Sequence, residues 1–360
     1  MEIVREAGRF EDAIHFEVGQ PDLPPSLKVK EALLKAIEDK RYSYTESLGL
    51  EALREKIKDH YKRIYNVSIK KENILITPGT SGAFLVVYSL VCDYKNRLGF
   101  CDPGYPCYKN FSYLLDIEPV FIEVFKDSDY QITPNHLKNK KLKALQISNP
   151  ANPTGNIYER DNLKNLIEYC EKRDIAFISD ELYHGLVYDG EVSSALEFSE
   201  NVFVINGFSK YFCMPGFRVG WAIIPDRFIK KAEEIAQNLF ISAPTLSQFA
   251  VLEAFDYEYL NKVRETFRKR RDFLYKELKD IFEIPSFPKG AFYLWADVSK
   301  YGYDSRKFSK MLLEKAHVAV TPGVDFGKNQ TDKFIRFAYT TDIKKMREGV
   351  SRIREFIKNI

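Results

Sequence analysis

The sequence predicts an α/β protein: a doubly wound, mainly parallel sheet in a large domain, joined to a smaller α+β domain built from the N-terminal segment and the C-terminal third. Three observations predict it. Short apolar runs, of which residues 202–205 are the clearest, read as strands buried on both faces. From residue 73 to residue 210 such runs alternate with segments whose apolar residues recur at helical spacing, the βαβ pattern of a parallel sheet. Several runs also end in small, polar or charged residues, at the strand ends where parallel sheets bind ligands. The expected division is 1–40 as an N-terminal arm and part of the small domain, 41–245 as the large domain, and 246–360 as the remainder of the small domain.

Composition bounds the function. A chain of 360 residues that is 45% hydrophobic can bury a large core, and at about 150 residues per domain it is expected to form two domains. Its 54 basic and 51 acidic residues leave a net charge of +3, too dilute to point to nucleic acid as a partner. Cys92, Cys101, Cys107, Cys170 and Cys213 are odd in number and form no CxxC pair, which argues against a disulfide framework or a zinc site and for a reducing cytoplasm. No signal peptide is read at the N-terminus, and the longest greasy run, 83–92, falls short of the roughly 18 residues that cross a bilayer, so a soluble protein is expected.

In chain order, Gly19 opens a rigid, proline-rich lead-in, and Ser26 is placed to cap a helix carrying Leu27, Leu33, Leu34 and Ile37. Tyr44 falls in a connecting loop that ends at Gly49, after which Leu50, Leu53, Ile57, Tyr61 and Ile64 mark a second helix. Residues 73–77 read as a strand and 83–91 as a helix. Gly79, Thr80 and Ser81 form the tight turn between them, where free N–H groups and the helix dipole make a seat for phosphate; Thr and Ser also simply cap helices. A strand near 97–101 leads to a proline-bounded turn displaying Tyr105, which stacks on a planar ring or packs into a neighbouring core.

Strands follow at 119–125 and 142–148, the second ending in Asn149-Pro150-Ala151-Asn152-Pro153-Thr154-Gly155. Each proline holds the preceding asparagine extended, aiming the Asn152 amide from a rigid loop. A helix beginning near Asp161 places Leu163, Leu166, Ile167 and Cys170 on one side, and the strand 175–178 then runs into Asp180. An acid directly after a buried strand is expected to meet a cation. The strand 202–205 ends in Asn206-Gly207, followed by Ser209, Lys210 and, eight residues after Lys210, Arg218. Lys210 is either a solvated loop lysine or an imine-forming lysine beside an anion-binding arginine. Beyond residue 240 come long amphipathic helices, including one from Asp342, and short strands at 290–294 and 318–320.

Each signal has an ordinary reading when taken singly. Together, a doubly wound sheet brings Gly79, Tyr105, Asn152, Asp180 and Lys210 to one rim: a phosphate seat, a ring stacker, an amide donor, a carboxylate and an amine. On these motifs the chain resembles a fold type I aminotransferase of class I/II, the aspartate aminotransferase-like group, from Gly19 to Arg336. The resemblance implies pyridoxal 5'-phosphate as cofactor, with Lys210 as the Schiff-base lysine, Asp180 on the pyridine nitrogen, and Tyr183 and Asn152 on the phenolic oxygen. It places Gly79, Thr80, Ser81, Ser209 and Arg218 at the phosphate, Tyr105 on the ring, and Gly19, Asn152 and Arg336 around the substrate carboxylate. It further implies a homodimer with shared active sites, in which Tyr44 reaches the neighbouring subunit's phosphate.

The implied reaction moves the amino group of an L-amino acid to a 2-oxo acid in a ping-pong cycle, with Lys210 also shuttling the Cα proton, its amine made less basic by Arg218 and burial. A lyase that splits carbon–sulfur bonds on the same scaffold is the alternative. Two positions depart from the pattern: Gly207, where several relatives place a phosphate-binding serine, and Asn238, where an arginine for a distal carboxylate stands in some aspartate enzymes. Phe16, Phe240 and Phe292 are candidate linings for an aromatic or aliphatic substrate side chain.

Overall fold

The computed structural model describes residues 2–360. Its strands, in chain order, are β1 (Ile14–His15), β2 (Ile74–Pro78), β3 (Arg97–Asp102), β4 (Glu118–Glu123), β5 (Ala144–Ser148), β6 (Ala176–Asp180), β7 (Phe203–Gly207), β8 (Val219–Ile223), β9 (Tyr293–Asp297), β10 (Val318–Ala319), β11 (Thr321–Pro322) and β12 (Phe334–Ala338). Seven of them form one sheet in the order β2-β8-β7-β6-β5-β3-β4. The run from β4 through β7 is parallel, and β8 lies antiparallel between β7 and β2.

The continuous apolar runs have a direct cause in this sheet, because both of its faces are covered. Successive side chains along a strand point to opposite faces. Thus Leu75, Ala144, Ile178, Phe203 and Ile205 pack with Val86, Val87 and Tyr88 of the helix Gly79–Val91. Their chain neighbours Ile76, Leu145, Phe177 and Val204 pack on the other side with Leu163, Leu166 and Ile167. The helix supplying those last three residues is Arg160–Glu171.

The structure departs from expectation at several elements. Strand β8 follows Arg218 in a stretch the sequence left unassigned, and all of Val219–Ile223 is buried. Its Gly220 is required by close approach, since a Cβ there would lie 2.7 Å from the backbone N of Thr80. The first helix of the sheet begins at Gly79 rather than residue 83, so Gly79, Thr80 and Ser81 form its opening turn. Ser26 stands at the N-terminus of the helix Leu27–Glu38, but its hydroxyl is buried without a hydrogen-bond partner and caps nothing.

The remaining strands form two small sheets: an antiparallel β11-β12-β9 set, and β1 parallel to β10. The helices Tyr257–Leu278, Ser305–Ala316 and Ile343–Lys358 pack around them. The segment after β1 is tied to this region, with Ala338 N donating to Phe16 O at 2.6 Å and Thr340 Oγ1 to Val18 O at 2.8 Å. That attachment carries Gly19 toward the end of the large sheet. No helix among the described residues is long and apolar enough to cross a membrane.

Candidate active site

A cleft of about 280 Å³ opens at the carboxyl ends of β5, β6 and β7. Gly19, Thr80, Ser81, Tyr105, Asn152, Asp180, Tyr183, Ser209, Lys210, Arg218 and Arg336 all line it, so the residues singled out from separate parts of the sequence meet in one place. Gly79 adjoins it through Arg218. Tyr44 does not line the cleft of its own chain, and its side chain is exposed. A wider groove of about 550 Å³ lined by Lys70, Asn73 and Asp226 lies at the opposite end of β2 and β8 and has no such set of groups.

Lys210 follows β7, and its Nζ donates to the carbonyl of Gly19 at 2.7 Å. Burial presses its pKa down to about 8, with the positive charges of Arg336 and then Arg218 acting in the same direction. The sequence reading named only burial and Arg218; Arg336 enters because tertiary folding brings β12 across the cleft.

Asp180 ends β6 and does not meet a cation through a salt bridge among the described residues, contrary to expectation. One carboxylate oxygen accepts from the Tyr108 hydroxyl at 2.5 Å and the other from the Leu182 amide at 3.1 Å. Burial raises its pKa to about 6, against the opposing effects of those two donors and of Lys210. The neighbouring Glu181 points elsewhere, accepting from Ser194 and the Ala195 amide.

Arg336, on β12, is buried and has no carboxylate partner among the described residues. It donates to Asn152 Oδ1 at 2.9 Å, to Glu17 O at 2.9 Å and to Thr321 Oγ1 at 3.2 Å. Its guanidinium lies over the rings of Tyr293 and Phe326, 4.2 and 4.7 Å from their centroids. Its Nε is buried with no acceptor at all. A buried cation held by neutral groups is a receptor for a carboxylate. Asn152, with its oxygen engaged by Arg336, keeps its Nδ2 as donor.

The turn Gly79–Ser81, expected to seat a phosphate, offers backbone donors. No side chain caps the helix Gly79–Val91, so its opening amides remain free, and Arg218 stands against that turn. Gly79 has φ 67°, which favours glycine, and a Cβ there would fall 2.4 Å from Arg218 Nη2, so a side chain would push the guanidinium away from the turn. Gly207 is tight but less so, with a Cβ falling 3.1 Å from both Gly220 Cα and Thr80 Cγ2. These features fit a phosphorylated aromatic cofactor: amides and a guanidinium for the phosphate, a carboxylate without a cation, and a buried amine.

Several cleft residues escaped the sequence reading. Phe84, Tyr108, Ser148, Leu182, Pro215 and Tyr293 also line it. Tyr293 meets Tyr183 hydroxyl to hydroxyl at 2.8 Å. The signal for Tyr108 was its position three residues after Tyr105, and those two rings do meet edge to face. The expected apolar linings belong elsewhere. Phe16 packs on Phe337 and Phe292 on Phe267, both in the core, while Phe240 packs beside Gly82. Asn238 is exposed on the helix Asp226–Phe240 and donates to Glu234 O at 2.7 Å.

Comparison with known proteins agrees with this geometry. The family model for "Aminotransferase class I and II" matches residues 11–353. The chain is 36% identical to a (5-formylfuran-3-yl)methyl phosphate transaminase of Methanocaldococcus jannaschii over 99% of its own length and 96% of that protein's. It is 32% identical to an aspartate aminotransferase of Sulfolobus acidocaldarius, covering 96% of this chain and 90% of the other. An aminotransferase crystal structure from Mycobacterium tuberculosis superposes with a TM-score of 0.97 at 31% identity, covering 100% of this chain and 96% of that one. In sequence and in fold, the chain therefore belongs to the class I and II aminotransferases, the transaminases that work with pyridoxal phosphate.

Proposed function

We propose that the chain transfers the amino group of an α-amino acid to a 2-oxo acid, with Lys210 as the residue that binds pyridoxal phosphate covalently. The observation that carries this reading is that Lys210, Asp180 and Arg336 share one cleft while none is salt-bridged to protein among the described residues. Bound, the cofactor supplies an aldehyde that takes up amines and a protonated ring that draws electron density from Cα.

The remaining chemistry belongs to the chain. Arg336 holds the substrate α-carboxylate, with Gly19 and Asn152 beside it, and so orients the amino group. Asp180 holds a proton on the ring nitrogen by charge. Tyr183 and the Asn152 amide donate to the phenolic oxygen, and Tyr105 covers the ring. The Gly79–Ser81 amides, Ser209 and Arg218 anchor the phosphate. The free Lys210 amine would take up and return the proton at the substrate Cα; its lowered pKa favours the free-base form this requires.

We further propose a homodimer in which Tyr44 completes the partner's phosphate site, with residues 41–245 as the cofactor-holding unit and 1–40 with 246–360 as the unit that closes on substrate. All five cysteines are free, which supports a reducing cytoplasmic setting. The relatives named above are transaminases, and the carbon–sulfur lyase alternative is not favoured. Asn238, a neutral amide where some aspartate enzymes carry an arginine, lies outside the cleft of its own chain and bears on substrate choice only through the homodimer proposed here, where it supports side chains without a distal carboxylate. The test is a panel of amino donors scored by conversion of the bound cofactor to its amino form. Aromatic or aliphatic donors are expected to convert faster than aspartate and glutamate. No conversion with any donor, together with release of thiol and pyruvate from cysteine conjugates, would overturn the reading.

A further inference from the structure

We propose that Tyr108 is a positioning residue for Asp180: its hydroxyl keeps that carboxylate ionised and aimed into the cleft, and so sets the strength of the charge that acts on the cofactor ring. The inference rests on the cofactor reading above. It begins from the fact that Asp180, the residue read as partner of a ring cation, is itself held by a phenol.

The geometry makes the phenol hard to replace. Tyr108 sits on the opening turn of the helix Cys107–Leu114 and is buried. Its ring stacks on Phe100 at 5.9 Å with an interplanar angle of 15°, and meets Phe84 and Tyr105 edge-on at 5.3 and 5.2 Å. Three rings therefore fix the direction of one hydroxyl. Other groups bearing on Asp180 are fewer than its burial requires. From β5, Ser148 pairs in register with it; from β7, Ile205 does; and the titratable groups that act on it are Tyr108, Tyr105, Tyr88 and Lys210. Of these, Lys210 is the only cation, and its amine donates to Gly19 instead. The Tyr108 hydroxyl and the Leu182 amide are thus the two donors to the carboxylate, and only the hydroxyl is supplied by a side chain.

A donor to the charged form of an acid lowers its pKa, so removing it lets burial act unopposed. A bond to a charged group corresponds to roughly one to two pH units. The experiment uses Tyr108→Phe, which keeps the stacked ring. In the cofactor-free full-length protein, the Asp180 carboxyl, assigned by its loss in Asp180→Asn, is titrated by carbon-13 NMR. It is expected to move up by about one to two pH units from its position near 6. In the holoenzyme, kcat is expected to fall about tenfold while the KM for the amino donor changes less than threefold. The pH dependence of the cofactor's visible absorbance should shift with the carboxyl.

An unmoved carboxyl titration overturns the proposal, even if Tyr108→Phe lowers the melting temperature, because that is the outcome of a purely structural tyrosine. A shifted carboxyl with unchanged kcat and unchanged absorbance profile also overturns it, by removing the link to the ring. Failure of the cofactor reading itself would appear separately, as wild-type protein that takes up no pyridoxal phosphate.

Discussion

Burial brings the Lys210 amine and the Asp180 carboxyl toward each other in pKa, one down to about 8 and the other up to about 6. The folded state binds fewer protons at Lys210 than the unfolded chain does between about pH 8 and 10.5, so stability rises with pH through that window and the contribution is lost as pH falls through 8. In the cofactor-free protein, Lys210→Met should remove up to about 3 kcal/mol of that pH dependence, read by denaturant melts at pH 7 and pH 10. An identical pH profile in the two proteins would show that the amine is solvated. With cofactor, Lys210→Ala should abolish the visible absorbance of the lysine-bound form and lower turnover by at least about 10²-fold to 10⁴-fold. Unchanged turnover would end the assignment of Lys210.

Among elements, the helix Gly79–Val91 does two jobs that compete for the same few residues. Its body supplies the apolar face that covers the sheet, while its opening turn must stay uncapped and close to Arg218. Gly79→Val places a side chain into the Arg218 guanidinium and forces a branched residue to a positive φ. The affinity for pyridoxal phosphate, measured by fluorescence quenching, is expected to fall at least tenfold; full affinity would mean that the phosphate is held elsewhere. Strand β8 carries the structural counterpart. Trp221 is fully buried against the paired rings of Phe208 and Phe212, and Trp221→Ala should cost about 3–5 kcal/mol in a denaturant melt through the cavity left behind.

For the whole molecule, the exposed apolar residues argue for a second copy of the chain. Tyr42, Tyr44, Leu239 and Ile241 all expose large apolar side chains, on segments that Thr245 links by its bond to Ser43 O. If Tyr44 serves the partner's site, a mixture tells more than either variant alone. Lys210→Ala and Tyr44→Ala each damage a site, but a mixed dimer holds one site with both native residues. Refolding the two together is expected to restore activity to about a quarter of wild type, the statistical share of intact sites. Additive residual activities with no recovery would place Tyr44 outside the partner's site.

Much of this was legible before folding. The buried strands announce themselves because a sheet covered on both faces needs apolar residues at successive positions, as in 202–205, and the polar residues after those strands mark the ligand end. Lys210, Asp180, Asn152 and Arg218 each stood in a local motif, and it was their convergence at the strand ends that marked them as one candidate site. Strand β8 and the start of the helix at Gly79 were not, because glycines that serve close backbone approach look in a sequence like turn residues.

What the sequence by itself determined is the alternation of buried strands and helices in the parallel part of the large sheet, the chemical types gathered at those strands' ends, and hence the class of cofactor. Only the tertiary structure decided who meets whom: that Asp180 is held by Tyr108, that Arg336 acts on Lys210 more strongly than Arg218 does, and that Phe16 and Phe292 are core. The reason is physical. Hydrophobic periodicity is a local property that successive residues encode, whereas desolvation and charge act through space, between residues as far apart in the chain as 108 and 180.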